Sequence, residues 1–237
     1  MPSDTKKSLS EQFEILVKIY TLYDAVIETL DLACKVGCDL CCTRNVTVTS
    51  LEACLIADRL EKTGRKQLFE KIESAESLER FHPQTTTNTL AWLCKNGKNP
   101  PEEEFDPAWR PCPLLSESKC LIYGERPFGC RCMVSKTACR QDGYAEMEDY
   151  LLSINTVFMQ FVEHADTSGS SGNFIDMLLF MSSADQRRAY KNDGCTGRHR
   201  GFVANRPIEM IMLPPEYQLE ARPVLNKLQA LFSKQSR

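Results

Sequence analysis

Residues 9–42 read LSEQFEILVKIYTLYDAVIETLDLACKVGCDLCC, and two patterns meet in that stretch. Between 9 and 33 the apolar residues Phe13, Leu16, Val17, Tyr20, Tyr23, Val26, Ile27 and Leu30 recur near helical spacing. That period predicts one long amphipathic helix with a face to bury. It runs directly into Cys34, Cys38, Cys41 and Cys42. A helix ending in a thiol cluster predicts a helical fold with its chemistry carried on loops.

Working outward, Arg44 to Thr49 alternates polar and β-branched residues and predicts a short extended piece. Ser50 is the expected N-cap of a helix over 51–63 that ends near Gly64. Further helices are expected over 65–81, 86–95, 143–165, 173–190 and 216–233. Residues 96–113, with Pro100, Pro101, Glu102, Glu103 and Glu104, predict an irregular acidic, solvated loop. The stretch 112–139 holds too many Pro, Gly and Cys residues for a regular helix. Ser168 to Gly172 reads as a turn or linker, and Pro207 to Leu213 as a strand. The expected class is mostly α: a single helical domain over 1–237 with irregular cysteine-rich loops forming a metal site.

The chain has 237 residues, enough to bury a core without disulfides. Its 29 Lys and Arg against 32 Asp and Glu give a net charge of −3. That balance gives no electrostatic case for nucleic acid or an acidic membrane surface. No apolar run approaches the ~18–20 residues of a membrane span, and the N-terminal stretch shows no secretory pattern. The expected location is the cytoplasm, where thiols stay reduced. The unusual quantity is 12 cysteines. At about 5 % of the chain they fall below the ~8–10 % of disulfide scaffolds. They are also clustered, and the adjacent pair Cys41-Cys42 fits bridging poorly.

Two thiolates separated by two residues reach one ion around a tight turn, the spacing of Cys38 and Cys41. Gly37 relieves that turn sterically. Cys42 is expected to point away from Cys41, which suits two metals or two corners of a cluster. The second cluster comprises Cys112-Pro113, Cys120 and Cys130-Arg131-Cys132. Pro113 and Pro127 restrict the residues before them to extended torsions. Arg126 and Arg131 are expected to lower thiol pKa values and offset thiolate charge. In extended chain Cys130 and Cys132 would share a face.

Cys34-Lys35-Val36-Gly37-Cys38-Asp39-Leu40-Cys41-Cys42, Cys112-Pro113-Leu114-Leu115, Cys120-Leu121-Ile122-Tyr123 and Arg126-Pro127-Phe128-Gly129-Cys130-Arg131 together carry a resemblance. The chain resembles the YkgJ-type cysteine-cluster proteins, the CxxCxxCC family of zinc- or iron-chelating domains, over about residues 34–132. Gly194-Cys195-Thr196-Gly197 is similar to a later Cys-bearing element of such proteins, which would extend the metal-binding region to 197. The first gap departs from the family, with three residues between Cys34 and Cys38 instead of two. More distantly, the cysteine region is similar to flagellin lysine N-methylases. The resemblance implies metal chelation by Cys38, Cys41, Cys42, Cys112, Cys120 and Cys130, with Cys34 and Cys195 next. Eight thiolates exceed the four of one structural zinc, which favours a multinuclear site or two sites.

The expected function is a cysteine-cluster metalloprotein chelating iron, as an iron–sulfur cluster, or alternatively zinc. The alternatives are an iron–sulfur-dependent enzyme acting on a protein substrate, such as a lysine N-methyltransferase, a zinc-stabilised binding module, and metal storage or delivery. The spacing of Cys34, Cys38 and Cys41 also matches radical S-adenosylmethionine enzymes, but repeated βα units are missing from the pattern. Cys54 and Cys94 read as core residues, and Cys132 and Cys139 as spare, resolving or packing thiols. His82, His164 and His199 are isolated and read as surface residues, Arg198-His199-Arg200 as a solvated turn, and Tyr123 as packing beside the site.

Overall fold

A computed structural model describes residues 8–103, 110–194 and 201–233. Helices take up about 51 % of the chain, as the class expectation required. Helix α1 (Leu9–Ile27) opens on a capping box in which Ser8 and Glu11 satisfy each other's backbone donors. It stops seven residues short of Cys34, and the chain to the first cysteine is non-helical, so the long helix expected up to residue 33 is shorter. Strand β1 (Thr47–Thr49) leads directly into α2 (Ser50–Lys62). The N-cap is Thr49, one residue earlier than expected, because Glu52 closes a second capping box on it.

Only α3 (Leu68–Glu73) forms within 65–81, whereas α4 (Thr87–Lys95) falls where expected. The second cysteine segment carries a two-strand hairpin, β2 (Leu115–Ser116) and β3 (Lys119–Cys120), then the short helices α5 (Phe128–Arg131) and α6 (Cys139–Asp142). Helix α7 (Asp149–His164) starts six residues later than the pattern suggests. Ser168 to Gly172 is not a linker. Strand β4 (Ser170–Asn173) is the central strand of a three-stranded antiparallel sheet, β1-β4-β5. The expected helix over 173–190 is two helices, α8 (Phe174–Ser182) and α9 (Ala184–Asp193), broken at the extended Ser183, whose hydroxyl caps the second. Strand β5 (Val203–Ala204) precedes the region where a strand was expected. Residues 210–212 do not pair with a strand. The Gln160 side chain takes their backbone instead, donating to Met210 O and accepting from Met212 N, both at 2.8 Å. Helix α10 (Gln218–Ala230) closes the chain.

The buried apolar residues form one cluster in which α1, α2, α7 and α8 face each other. At its centre Tyr23 meets Phe128 and Phe158 edge-on with ring centroids 4.8 and 5.1 Å away, and Phe128 stacks on Phe158 at 5.9 Å. Such aromatic contacts hold geometry as well as burying area. Tyr23 donates to Asn155 Oδ1 at 2.7 Å, and Asn155 Nδ2 donates to Cys132 O at 3.2 Å. The core therefore reaches directly into the Phe128–Cys132 segment. No helix among the described residues is long and apolar enough to cross a membrane.

Candidate metal centre

The two cysteine segments, some seventy residues apart in sequence, are stitched together by main-chain hydrogen bonds. Cys112 N donates to Cys42 O at 2.9 Å, Arg44 N donates to Arg110 O at 3.1 Å, and Thr43 bridges Pro111. Asn173 anchors this ribbon from β4 by donating to Arg44 O at 2.8 Å. Within the first segment Cys38 N donates to Lys35 O and Cys42 N to Asp39 O. These consecutive turns keep the thiols on one side, and Gly37 at φ +93° supplies the left-handed torsion the first turn requires. In the second segment Leu115 pairs with Cys120 across the hairpin, and Leu115 N donates to Cys112 O at 3.0 Å. Cys130 is set by α5, whose first residue donates from Phe128 N to the buried carboxylate of Glu52 at 2.7 Å.

The result is one cavity of about 160 Å³ lined by Cys34, Cys38, Cys41, Cys42, Cys112, Cys120 and Cys130. Seven of the eight expected ligands thus come from both segments to one place. The eighth, Cys195, lies outside the described residues, as do His199 and Glu104. Other expectations fare differently. Cys54 is buried in α2, whereas Cys94 is exposed and not a core residue. Cys132 is buried in the core with its thiol directed to Gly129 O. It does not share a face with Cys130 because that segment is helical, and residues two apart on a helix diverge by about 200°. Cys41 and Cys42 do not simply point apart: their thiols hydrogen-bond each other. His82 pairs with Asp176 at 3.0 Å and His164 accepts from Ile208 N, so neither described histidine serves the cavity. Glu103 is not merely solvated, since it accepts from Gln84 N and Thr85 N. Tyr123 lies at the cavity under the Arg126 guanidinium, 3.6 Å from its ring centre.

Electrostatics divide the thiols. Burial raises those of Cys34, Cys120 and Cys130, and pushes Cys112 up to about 11. Cys41 is raised because its S–H donates to Cys42, and Cys42 is lowered for the same reason. Three backbone N–H groups work against burial: Ser135 on Cys34 at 3.2 Å, Leu114 on Cys112 and Ile122 on Cys120. Such N–H···S bonds stabilise thiolate, and they tune sulfur ligands in metal centres. Arg126 adds a positive charge felt by Cys41, Cys120 and Cys130. Arg131 has a structural task instead, over the Tyr20 ring and against Asp24.

The donor set fits a thiophilic metal in kind and location: soft sulfurs, N–H donors to three of them, and a nearby cation to balance thiolate charge. Among the described residues, however, no three Cys, His, Asp or Glu side chains stand together in an arrangement that could hold a metal ion. Sequence reasoning missed Glu52, Asp39 and Asn173, which position the cysteine segments, and Ser135, whose N–H donates to Cys34 Sγ. Only Glu52 carried a signal, the Thr49-x-x-Glu52 capping-box spacing.

Comparison with family models, with curated proteins and with solved structures found no match for this chain.

Proposed function

We propose that the protein is a cysteine-cluster metalloprotein that chelates iron, as an iron–sulfur cluster, or zinc, in the cavity between the two cysteine segments. The observation that carries this reading is the convergence of seven thiols on one cavity. Burial outweighs the Arg126 charge and keeps most of them protonated, and a metal cation reverses that balance by deprotonating the thiols it coordinates. Bound metal would supply the positive charge and, if iron, the redox chemistry. The chain's own contribution is to hold the sulfurs, line the cavity with Tyr23 and Leu114, and donate N–H groups from Leu114, Ile122 and Ser135. The reduced thiols presuppose a cytoplasmic, reducing setting.

The test is anaerobic purification followed by a visible spectrum, metal analysis and acid-labile sulfide. Brown protein with sulfide supports the iron–sulfur form, and colourless protein with stoichiometric zinc supports the zinc form. Protein that neither carries nor takes up either metal overturns the proposal. Cys41→Ser should lose metal and stability together, because ligation and folding are linked.

A further inference from the structure

We propose that a second cavity, distinct from the cysteine cavity, binds a small primary alkylammonium. It measures about 170 Å³ and lies between β1, the 81–87 loop, the start of α5 and α7, with the exposed Glu103 at its edge. Helix α5 presents Phe128 and Gly129 to this cavity and Cys130 to the other. Filling it requires no metal in the cysteine cavity.

Its charge is one-sided. Glu52, Glu103 and Glu163 line it, and no Lys, Arg or His does so among the described residues. Glu52 and Glu163 are each 3 % exposed. Every donor they accept from is neutral, either a hydroxyl or a backbone N–H. The Arg206 charge reaches Glu163 from outside the cavity, where its guanidinium lies 4.4 Å over the Trp92 ring. Buried carboxylates held by neutral donors alone leave a field that a cation neutralises.

The hydrogen-bonding capacity left over calls for a ligand that donates. Glu103 Oε1 accepts from Gln84 N at 2.8 Å and Thr85 N at 3.1 Å, while its Oε2 has no described donor. Glu163 Oε1 accepts from Thr86 Oγ1 and Arg206 N, but Oε2 accepts only from Asn88 N. The neighbouring residues Thr85 and Thr86 thus tie the two carboxylates to one stretch of loop. Thr85 lines the same cavity, and its hydroxyl oxygen is buried without a partner. Such orphans are rare and costly in a folded chain. Two carboxylate oxygens and a hydroxyl match the three N–H donors of a primary ammonium. Glu52, with both oxygens already taken, adds charge alone. The rest of the wall includes Val48, Phe81, Phe128 and Met159, which suits a short alkyl chain, and aromatic faces attract an ammonium. A metal ion fits poorly, because no three carboxylates stand close enough to hold one among the described residues.

Calorimetric titration of the full chain with n-butylammonium chloride, at constant ionic strength, tests the site. Saturable binding of one amine per chain is expected. The neutral isostere 1-butanol should bind at least about tenfold more weakly, the worth of one charge-assisted hydrogen bond. Glu103→Gln should weaken amine binding about tenfold for the same reason, and Thr85→Val several-fold. Glu163→Gln should match Glu103→Gln. If it fails to fold, because Glu163 also holds Thr86 and Asn88, the exposed Glu103 decides the matter. Absence of saturable heat with the amine overturns the proposal, as does equal binding of butanol. Unchanged affinity in either Glu103→Gln or Thr85→Val overturns it too. Displacement of the amine by an equal concentration of potassium ion would show a general cation sink and have the same consequence.

Discussion

Phe128 N donates to Glu52 Oε1 at 2.7 Å, joining the start of the helix that carries Cys130 to a carboxylate deep in α2. The same oxygen accepts from Tyr20 OH at 2.7 Å, and Oε2 accepts from Thr49 N and Oγ1. Glu52 is 3 % exposed and has all its listeners in place: one carboxylate sets the N-cap of α2, the α1 packing and the Cys130 turn together. Glu52→Ala strands the buried Tyr20 hydroxyl and two backbone N–H groups, those of Phe128 and Thr49, and should cost about 3 kcal/mol or more. Tyr20→Phe removes one donor only and should cost about 1 kcal/mol. Urea unfolding measures both. If Glu52→Ala were as stable as wild type, the buried network would have no structural role.

Arg126 should govern thiol ionisation. Its charge lowers Cys41, Cys120 and Cys130 against the burial that raises them. Arg126→Gln removes that charge and keeps much of the bulk. In metal-free protein the alkylation of Cys120 should then shift to higher pH, while Cys94, exposed and distant in sequence, keeps its profile. Mass-resolved alkylation across pH reads the shift, and an unchanged Cys120 profile would exclude the role.

Gly129 is required by close approach. A Cβ there would lie 3.0 Å from both Thr47 O and Val46 Cγ1. Thr47 is fixed by its pairing with Asn173, so the backbone has little room to yield. Gly129→Ala gains up to about 1 kcal/mol of helix propensity and loses about 1–3 kcal/mol to overpacking. The net expectation is a lower thermal midpoint. A raised midpoint would show that β1 gives way.

The parts of this fold legible in the sequence are those whose burial is apolar and periodic. The apolar face of α1 and the long α7 follow from spacing alone, whereas the convergence of the two cysteine segments was implied by the family resemblance. What escaped was made by polar contacts at long range. Strand β4 reads Ser-Ser-Gly-Asn, turn-like by composition, yet it is central because Gly172 lies against Phe202 and Asn173 bonds Arg44 O and Phe81 O. Cys94 looked like core beside Trp92 and Leu93. Helix α4 instead docks through Asn88, which bonds Gln160 and Arg206 O, and leaves its C-terminal end exposed.

Stability should fall as pH rises from about 4 to about 7, and Asp166 is the main reason. Its carboxylate is fully buried and accepts from Ser50 Oγ at 2.6 Å, Leu51 N at 2.9 Å, Tyr190 OH at 2.6 Å and Asn205 Nδ2 at 3.2 Å. Burial pushes it up to about 7 from the ordinary 3.8, with the Glu52 charge adding to the rise and those hydrogen bonds opposing it. The folded chain therefore keeps a proton that the unfolded chain has released across that interval. Protons bound in excess by the folded state make stability decrease with pH. The contribution is fully present below about pH 4 and gone above about pH 7, and is on the order of a few kcal/mol. Glu163, also raised by burial, acts in the same direction. Asp166→Asn keeps an acceptor for Ser50 and Leu51, and its amide can donate to the Tyr190 hydroxyl, so it imitates the protonated acid. Urea unfolding of wild type and Asp166→Asn in the same metal state, at pH 5 and pH 7.5, should show a steeper loss in the wild type. Equal losses would mean that Asp166 is ionised throughout, with its four hydrogen bonds outweighing burial.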